Sequence, residues 1–537
     1  MVFSDLFFLF VFIPAFALSY LLGGAIDRAL PLCSRSSSKP ARAVGATTGE
    51  LLAMPTALPL CSRSSSKPAR AVGATTGELL AMPTAFSPRG SRRMTCRNFA
   101  LILFSLIFYA WGEPVYVFLM LACVLLNYIA GLAIDGRHGA GRKWMLGLGL
   151  AVNILILGTF KYADFFVLQL NALGLDLRAP GIMLPIGISF YTFQSISYLV
   201  DVYRHESPVQ RRFHNLLLYI SMFPQLIAGP IVRYGTIAHE VTERHVSASD
   251  LAEGIYRFLI GLGKKVLIAN QLSELSDQFL GGNLQDLTTT GSWVGIVAFT
   301  LQIYFDFSGY SDMAIGMGRC MGFHFNENFR HPYCCNSITD FWRRWHISLG
   351  SFFRDYVYIP LGGNRSHQAL NILVVWFLTG MWHGASWNFI LWGLYFGLIV
   401  MVEKYTLLRV NKYIPNVLLH VYSLLLVVIG WGIFYFDDFD RMLAFFGVFF
   451  GQGAVFEDFV TESALLDNFW LWIVAVLFSM PLRGAAGRLG MRMLGRWPAV
   501  HGTAVLLFRT ALSVAILVLS VAMLVGATNN AFIYTRF

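Results

Sequence analysis

The chain has 537 residues, 56% hydrophobic and 13% charged, about half the charged share of a soluble domain, with a mean hydropathy of +0.59. Uninterrupted apolar stretches long enough to cross a bilayer recur along it, which excludes a soluble globular protein. Their continuity, without alternation, excludes a β-barrel, and the formal charge of +10 fits basic loops of a polytopic protein rather than a nucleic-acid binder.

The opening MVFSDLFFLFVFIPAFALSYLLGGA has no basic n-region and no small-x-small cleavage site, so residues 1–25 read as a retained first span. Residues 26–97 read as a basic low-complexity loop. Within it, LPLCSRSSSKPARAVGATTGELLAMPTA fills 30–57 and recurs unchanged at 58–85. Two identical copies are too few for a solenoid. Their Ser, Ala, Gly, Pro and Arg content reads as a disordered loop made by duplication. Cys33 and Cys61 belong to these copies, Cys334 and Cys335 are adjacent, and no cysteine spacing implies a metal site or a disulfide framework.

Residues 98–537 read as the transmembrane core. Candidate spans cover approximately 98–112, 115–134, 145–170, 181–200, 216–232, 293–318, 370–382, 387–402, 417–436, 468–480 and 503–525. Several are short or broken by Gly and Pro. Non-helical backbone survives at membrane depth only when buried in protein or lining a wet cavity, so a central water-accessible region is expected. Basic residues at 28–97, 137–143 and 204–214, and Arg483, Arg488, Arg492 and Arg496, mark cytoplasmic loops. The N-terminus is then outside.

The segment 249–280 differs from the spans. Asp250 followed by Glu253 resembles a capping box, and Ile255, Phe258, Leu259 and Leu262 recur at helical spacing ahead of Lys264 and Lys265. An interfacial amphipathic helix with its lysines at the headgroups fits, as does a plain bundle helix.

Three stretches carry polar groups that an anchor does not need. In PIGISFYTFQSISYLVDVYR, Tyr191, Gln194, Ser195, Tyr198 and Asp201 fall on one helical stripe, for interhelical hydrogen bonds or a cavity lining. In LQIYFDFSGYSDMAIGMG, Asp306 and Asp312 lie within an apolar span. A bare charge there costs roughly 3 kcal/mol or more, so partners are expected, arginines of the next stretch being the candidates. That stretch, SITDFWRRWHISLGSFFRDYVYIPLGGNR, holds Trp342, Trp345 and Tyr356 for a membrane interface, Arg343, Arg344 and Arg354 for carboxylates or phosphates, and His346. Downstream, His383 sits between two apolar half-spans beside Gly380 and Gly384. Histidine alone titrates near neutral pH and can accept and return a proton.

These stretches, with FPQLIAGPIVRY, ENFRHPY and GMWHGASWNFILWG, resemble the membrane-bound O-acyltransferase (MBOAT) family, and within it the bacterial branch that serves alginate O-acetylation. The resemblance runs from about residue 98 to the end, plus the first span. It implies an all-α polytopic fold, a ring of about 10–12 tilted and broken helices around a central tunnel, in a bacterial inner membrane. It implies His383 as catalytic and His346 as the second active-site position, with no bound cofactor or metal. Acetyl-CoA is the implied co-substrate and an exported SGNH-type acetyltransferase the implied partner. Arg343, Arg344, Arg365, Tyr191 and Gln194 are candidates for donor or substrate binding, and Asp306, Asp312, Trp345 and Asn388 for support around the site. The insertion at 26–97 departs from the family's short first loop, and FSLIFYAWGEP varies its second span. A transporter or flippase using the same polar cavity, a docking scaffold, and D-alanyl transfer to a cell-wall polymer are the rival readings.

Overall fold

In lipid every backbone N–H and C=O must be met within the protein, and the regular elements among the described residues are all helices. A computed structural model describes residues 3–29, 95–452, 455–482, 488 and 498–526. The duplicated segment 30–85 lies outside them, as do Arg483, Arg492 and Arg496.

The chain enters through α1 (Ile13–Ala29), preceded by a wider helical turn at Phe8–Phe12, and returns through α2 (Thr95–Gly112). Phe12 and Phe16 pack edge-on against Phe104 of α2 at 5.5 Å each, fastening this pair. The ends of the insertion are held together: Asp27 accepts the backbone N–H groups of Cys96 at 3.0 Å and Arg97 at 3.2 Å. A carboxylate there satisfies orphan donors of the next helix. Helices α3 (Tyr116–Asp135) and α4 (Gly139–Ala172) follow. At 1.5 Å per residue the 34 residues of α4 run about 51 Å, further than the roughly 30 Å of hydrocarbon they cross.

The next predicted spans are shortened. The stretch 181–200 becomes helical only at α5 (Ile188–Arg204), after Gly187 at φ +77°. The stretch 216–232 is broken into α6 (Phe213–Ser221) and α7 (Phe223–Leu226), with Met222 extended between them and Pro224 in the second. Helix α8 (Tyr234–Thr242) leads to α9 (Ala248–Gly263) and α10 (Asn270–Leu280), joined by a wide turn at Lys264–Ala269.

Helix α9 packs on α11 (Thr289–Cys320) through glycines. A Cβ on Gly261 would lie 2.5 Å from the Gly309 carbonyl oxygen, and one on Gly316 would lie 2.6 Å from that of Gly254. Only glycine permits this approach. The capping box is Ser247 with Asp250, not Asp250 with Glu253. Glu253 instead pairs with Arg509 at 2.6 Å. The lysines do not reach headgroups either. Lys264 pairs with Asp312 and Lys265 with Asp306, each at 2.7 Å, so α9 is a bundle helix.

After α11 come the short α12 (Ile338–Arg344) and α13 (Ile347–Phe353), then α14 (Gln368–His383) and α15 (Trp387–Tyr405). Beyond the single turn α16 (Leu407–Val410) lie α17 (Asn416–Tyr435), α18 (Phe439–Phe449), α19 (Phe459–Asp467), α20 (Phe469–Ser479) and α21 (Pro498–Gly526). Among the described residues, seven helices are long and apolar enough to cross a membrane, or eight with the bent pair α19–α20 as one span. The expectation was 10–12. The difference lies in the candidate spans that became α5, α6–α7, α11 and α14, which are short, broken or striped with polar groups and owe their place to surrounding protein rather than lipid.

Basic side chains tie helix ends together in this multi-pass membrane protein. Arg244 donates to Asn98 at 2.7 Å and to the Met321 carbonyl at 2.9 Å, linking the start of α2 to the end of α11. Arg204 donates to the Asp355 carbonyl at 3.1 Å, and Arg233 pairs with the Asp355 carboxylate at 2.7 Å.

Candidate active site

A helix ends where its backbone leaves helical dihedrals, and the two histidines sit at two such ends. Trp345 is extended and His346 adopts left-handed φ +43°, which turns the chain from α12 into α13. A non-glycine residue in that region costs about 1–3 kcal/mol and persists where its surroundings fix it. Asn328 fixes it here. Its backbone carbonyl accepts the Ile347 N–H at 2.9 Å. Its side-chain Oδ1 accepts the Ser348 N–H at 3.2 Å and the Ser348 hydroxyl at 2.9 Å, and lies 3.1 Å from His346 Nδ1. An atom that accepts a backbone N–H is an oxygen, so His346 Nδ1 must donate to it. The Nε2 lone pair is then the bare face of this imidazole, and Nε2 has no hydrogen-bond partner among the described residues.

The second histidine closes α14. Gly384 follows in extended conformation and α15 starts at Trp387. The two helices approach because a Cβ on Gly380 would lie 2.3 Å from the Phe389 carbonyl oxygen, and one on Gly393 2.4 Å from that of Trp376. His383 is buried, edge-on to Trp392 at 4.9 Å and to Phe434 at 5.3 Å.

One indole joins the two. The Trp382 ring lies 4.8 Å from that of His383 and 5.7 Å from that of His346. Each imidazole therefore borders the same ring. Phe307 covers the other side of His346 at 4.7 Å. Both histidines are buried, at 2% and 7% exposure, in a nest of aromatic rings.

The other predicted residues divide. Asn388 donates to the Phe434 carbonyl at 3.4 Å, beside His383. Trp345 is buried between Trp431 at 4.9 Å and Phe341 at 5.5 Å, and Trp342 packs on Trp376 at 4.8 Å. Both are internal rather than interfacial, because aromatic partners enclose them. Arg343 and Arg365 are exposed, and Arg344 is paired with Asp340 at 3.0 Å, so none of the three is buried with the histidines. Tyr191 packs against Tyr109 of α2, while the neighbouring stripe of α5 reaches the site: Phe190 and Phe193 contact Trp382 at 5.6 and 5.7 Å. Gln194 is buried on the Tyr191 stripe. Asp306 and Asp312 take their cations from α9 and its continuation, Lys265, Lys264 and Arg257, and not from the arginines of 337–365. Lysines one helical face away were nearer than arginines beyond a loop. Among the described residues no group of three His, Cys, Asp or Glu side chains is placed to hold a metal ion.

Four residues of this assembly are not singled out by the sequence. Asn328 and Ser348 lie inside the ENFRHPY and RRWHIS stretches, but nothing local marks these small polar residues as partners of His346. Lys161 and Tyr162 of α4 donate to the carbonyls of Trp382 and Met381, more than 200 positions away.

The family described as "MBOAT, membrane-bound O-acyltransferase family" matches residues 206–446. The chain is 42% identical over 368 residues to the "Probable alginate O-acetylase AlgI" of Pseudomonas syringae pv. tomato, covering 66% of this chain and 70% of that one. A protein of the same name from Pseudomonas putida is likewise 42% identical over 368 residues, with 66% and 75% covered. The "Peptidoglycan O-acetyltransferase" of Helicobacter pylori is 34% identical over 369 residues, with 62% and 70% covered. The matched region contains both buried histidines, α12 to α15 and the glycine contacts that bring α14 onto α15, so the chain belongs to the membrane-bound O-acyltransferase family and is a multi-pass membrane acyltransferase.

Proposed function

We propose that the protein moves an acetyl group from acetyl-CoA, presented on the cytoplasmic side of a bacterial inner membrane, toward hydroxyl groups of an extracytoplasmic polysaccharide, in concert with an exported SGNH-type acetyltransferase. The observation that carries this reading is the pair of buried imidazoles that both border Trp382. The relatives named for alginate and peptidoglycan O-acetylation support the acyl group and the polymer class. The basic loops at 137–143 and 204–214 support a cytoplasmic donor side.

The chemistry is acyl transfer. A hydroxyl attacks the thioester carbonyl, the new C–O bond forms, and the C–S bond breaks. A hydroxyl is a poor nucleophile until its proton leaves, so His383 takes that proton as general base and returns it to the departing thiolate. His346 presents a lone pair rather than an N–H at Nε2. It therefore accepts a hydrogen bond from a neighbouring hydroxyl of the acceptor and so orients the attacking one, whose own proton goes to His383; oxyanion stabilisation needs a donor, which this nitrogen is not.

The test is His383→Ala and His346→Ala in cells, with polymer-bound acetate measured at matched membrane levels. Loss of about 100-fold or more is expected for His383→Ala, the scale of general-base catalysis. Acetylation at the normal level in that variant removes the assignment. Substrate movement by reconstituted protein without thioester consumption, or alanine in place of acetate on the polymer, would replace the reading.

A further inference from the structure

The last four carbonyls of a helix have no partner within it, and in a membrane interior water does not replace one. Helix α14 ends at His383, so its final turn is such a place. Two of its carbonyls are met by one neighbour: the Lys161 ammonium donates to Trp382 O and the Tyr162 hydroxyl to Met381 O. One turn on, Phe165 lies edge-on to Trp387 at 5.8 Å. A further turn on, Gln169 Oε1 accepts the Trp387 indole N–H at 3.0 Å. One stripe of α4 thus crosses the break between α14 and α15. Lys161 and Tyr162 hold the side that carries His383, and Phe165 and Gln169 hold the other.

A lysine in an apolar span is costly, and a packed leucine would fill the same volume. Its placement has a use at a helix C-terminus, where a cation meets the negative end of the helix dipole and the bare carbonyls together. The peptide it grips is the one between Trp382, whose ring borders both imidazoles, and His383 itself. We propose that Lys161 and Tyr162 are positioning residues for His383, clamping the final turn of α14 so that the imidazole is held at its working place. The inference rests on the reading of His383 as the general base.

The experiment uses the full chain in inverted membrane vesicles with radiolabelled acetyl-CoA, following label into polymer, and polymer-bound acetate in cells as a donor-independent second readout. Lys161→Met is expected to lower kcat and cellular acetylation about 10–100-fold, the cost of a displacement near 1 Å in a catalytic group. KM for acetyl-CoA and the melting temperature in detergent should stay at wild-type values. Tyr162→Phe should lose less, and Lys161→Arg, which places a cation at the same carbonyl, should recover most of the loss. Wild-type turnover in Lys161→Met overturns the inference, as does a loss that tracks melting temperature and is not recovered by Lys161→Arg. If His383→Ala retains transfer, the base assignment fails. If His383→Ala abolishes transfer and Lys161→Met does not, only the positioning role fails.

Discussion

The Glu403 carboxylate, near the end of α15, lies 2.6 Å from the Ile338 backbone nitrogen at the start of α12. It also accepts the Thr339 N–H and hydroxyl at 2.7 Å each. Glu403 is fully buried, and its carboxyl oxygens meet backbone donors at the N-terminus of the short helix that delivers His346. Ser337 and Asp340 complete the cap, with the Asp340 N–H donating to the Ser337 hydroxyl at 3.0 Å.

Glu403→Ala removes the acceptor from the buried Ile338 N–H and from the two half-buried donors of Thr339, at roughly 1–3 kcal/mol for the buried group left unmet. The expected outcome is a lower melting temperature in detergent and less protein in the membrane, with Glu403→Gln intermediate because it keeps one carbonyl oxygen. Wild-type melting in Glu403→Ala would show that α12 stands without this cap.

Asn328 sets which nitrogen of His346 carries hydrogen. Asn328→Ala therefore frees the imidazole to adopt the other tautomer and strands Ser348. A fall in transfer of about 10-fold or more is expected at matched protein level, the usual weight of one oriented acid–base group. Asn328→Asp retains the acceptor and should keep more activity than the alanine variant. Equal activity in the two variants would count against tautomer control.

Lys265 and Asp306 form an ion pair with side-chain exposures of 4% and 2%. Breaking a buried pair from one side costs about 3–5 kcal/mol, whereas replacing both partners with apolar residues of similar volume is often near neutral. Lys265→Met alone should destabilise strongly, and the Lys265→Met, Asp306→Leu double variant should melt closer to wild type and retain transfer. A stable but inactive double variant would move Asp306 from a structural role into the chemistry.

At the start of α9, the Ser247 hydroxyl and backbone N–H donate to Asp250 and Arg319 pairs with it at 3.2 Å. These contacts push its carboxyl down to about 2, below the unfolded value near 3.9. A depressed carboxyl stabilises the fold above its unfolded pKa and loses that contribution as pH falls through the folded one. The difference in melting temperature between wild type and Asp250→Asn should be constant from about pH 5 to 7 and shrink between about pH 4 and 2. A pH-independent difference would contradict this.

Much of this was legible in the residues. Apolar length placed α2, α3, α4, α15 and α17 within a few positions, because lipid rewards an uninterrupted hydrophobic run whatever its neighbours. The W-H-G stretch marked His383 by its polarity in an apolar setting. What packing decides was not legible. The stripe Tyr191, Gln194, Tyr198 was read correctly as interior, yet the ring contacts to Trp382 come from Phe190 and Phe193, one position away. The cations opposite Asp306 and Asp312 and the carboxylate over Ile338 come from elements distant in sequence, and no local pattern announces them.

The approach of α14 to α15 makes the sharpest steric demand near His383. Gly380 lies one turn before it, and a methyl group there would sit 2.3 Å from the Phe389 carbonyl oxygen and 3.3 Å from the Gly393 Cα. Both are backbone atoms, so no rotamer change relieves the clash, and the helices must separate. Gly380→Ala is therefore expected to displace the final turn of α14 and lower transfer by about 100-fold, as an ångström-scale misplacement of a catalytic group does. On the outer face of the same helix, Leu370→Ala serves as the control, since Leu370 is 59% exposed and its truncation should leave transfer unchanged. Equal activity in the two variants would mean that the position of His383 does not depend on this contact.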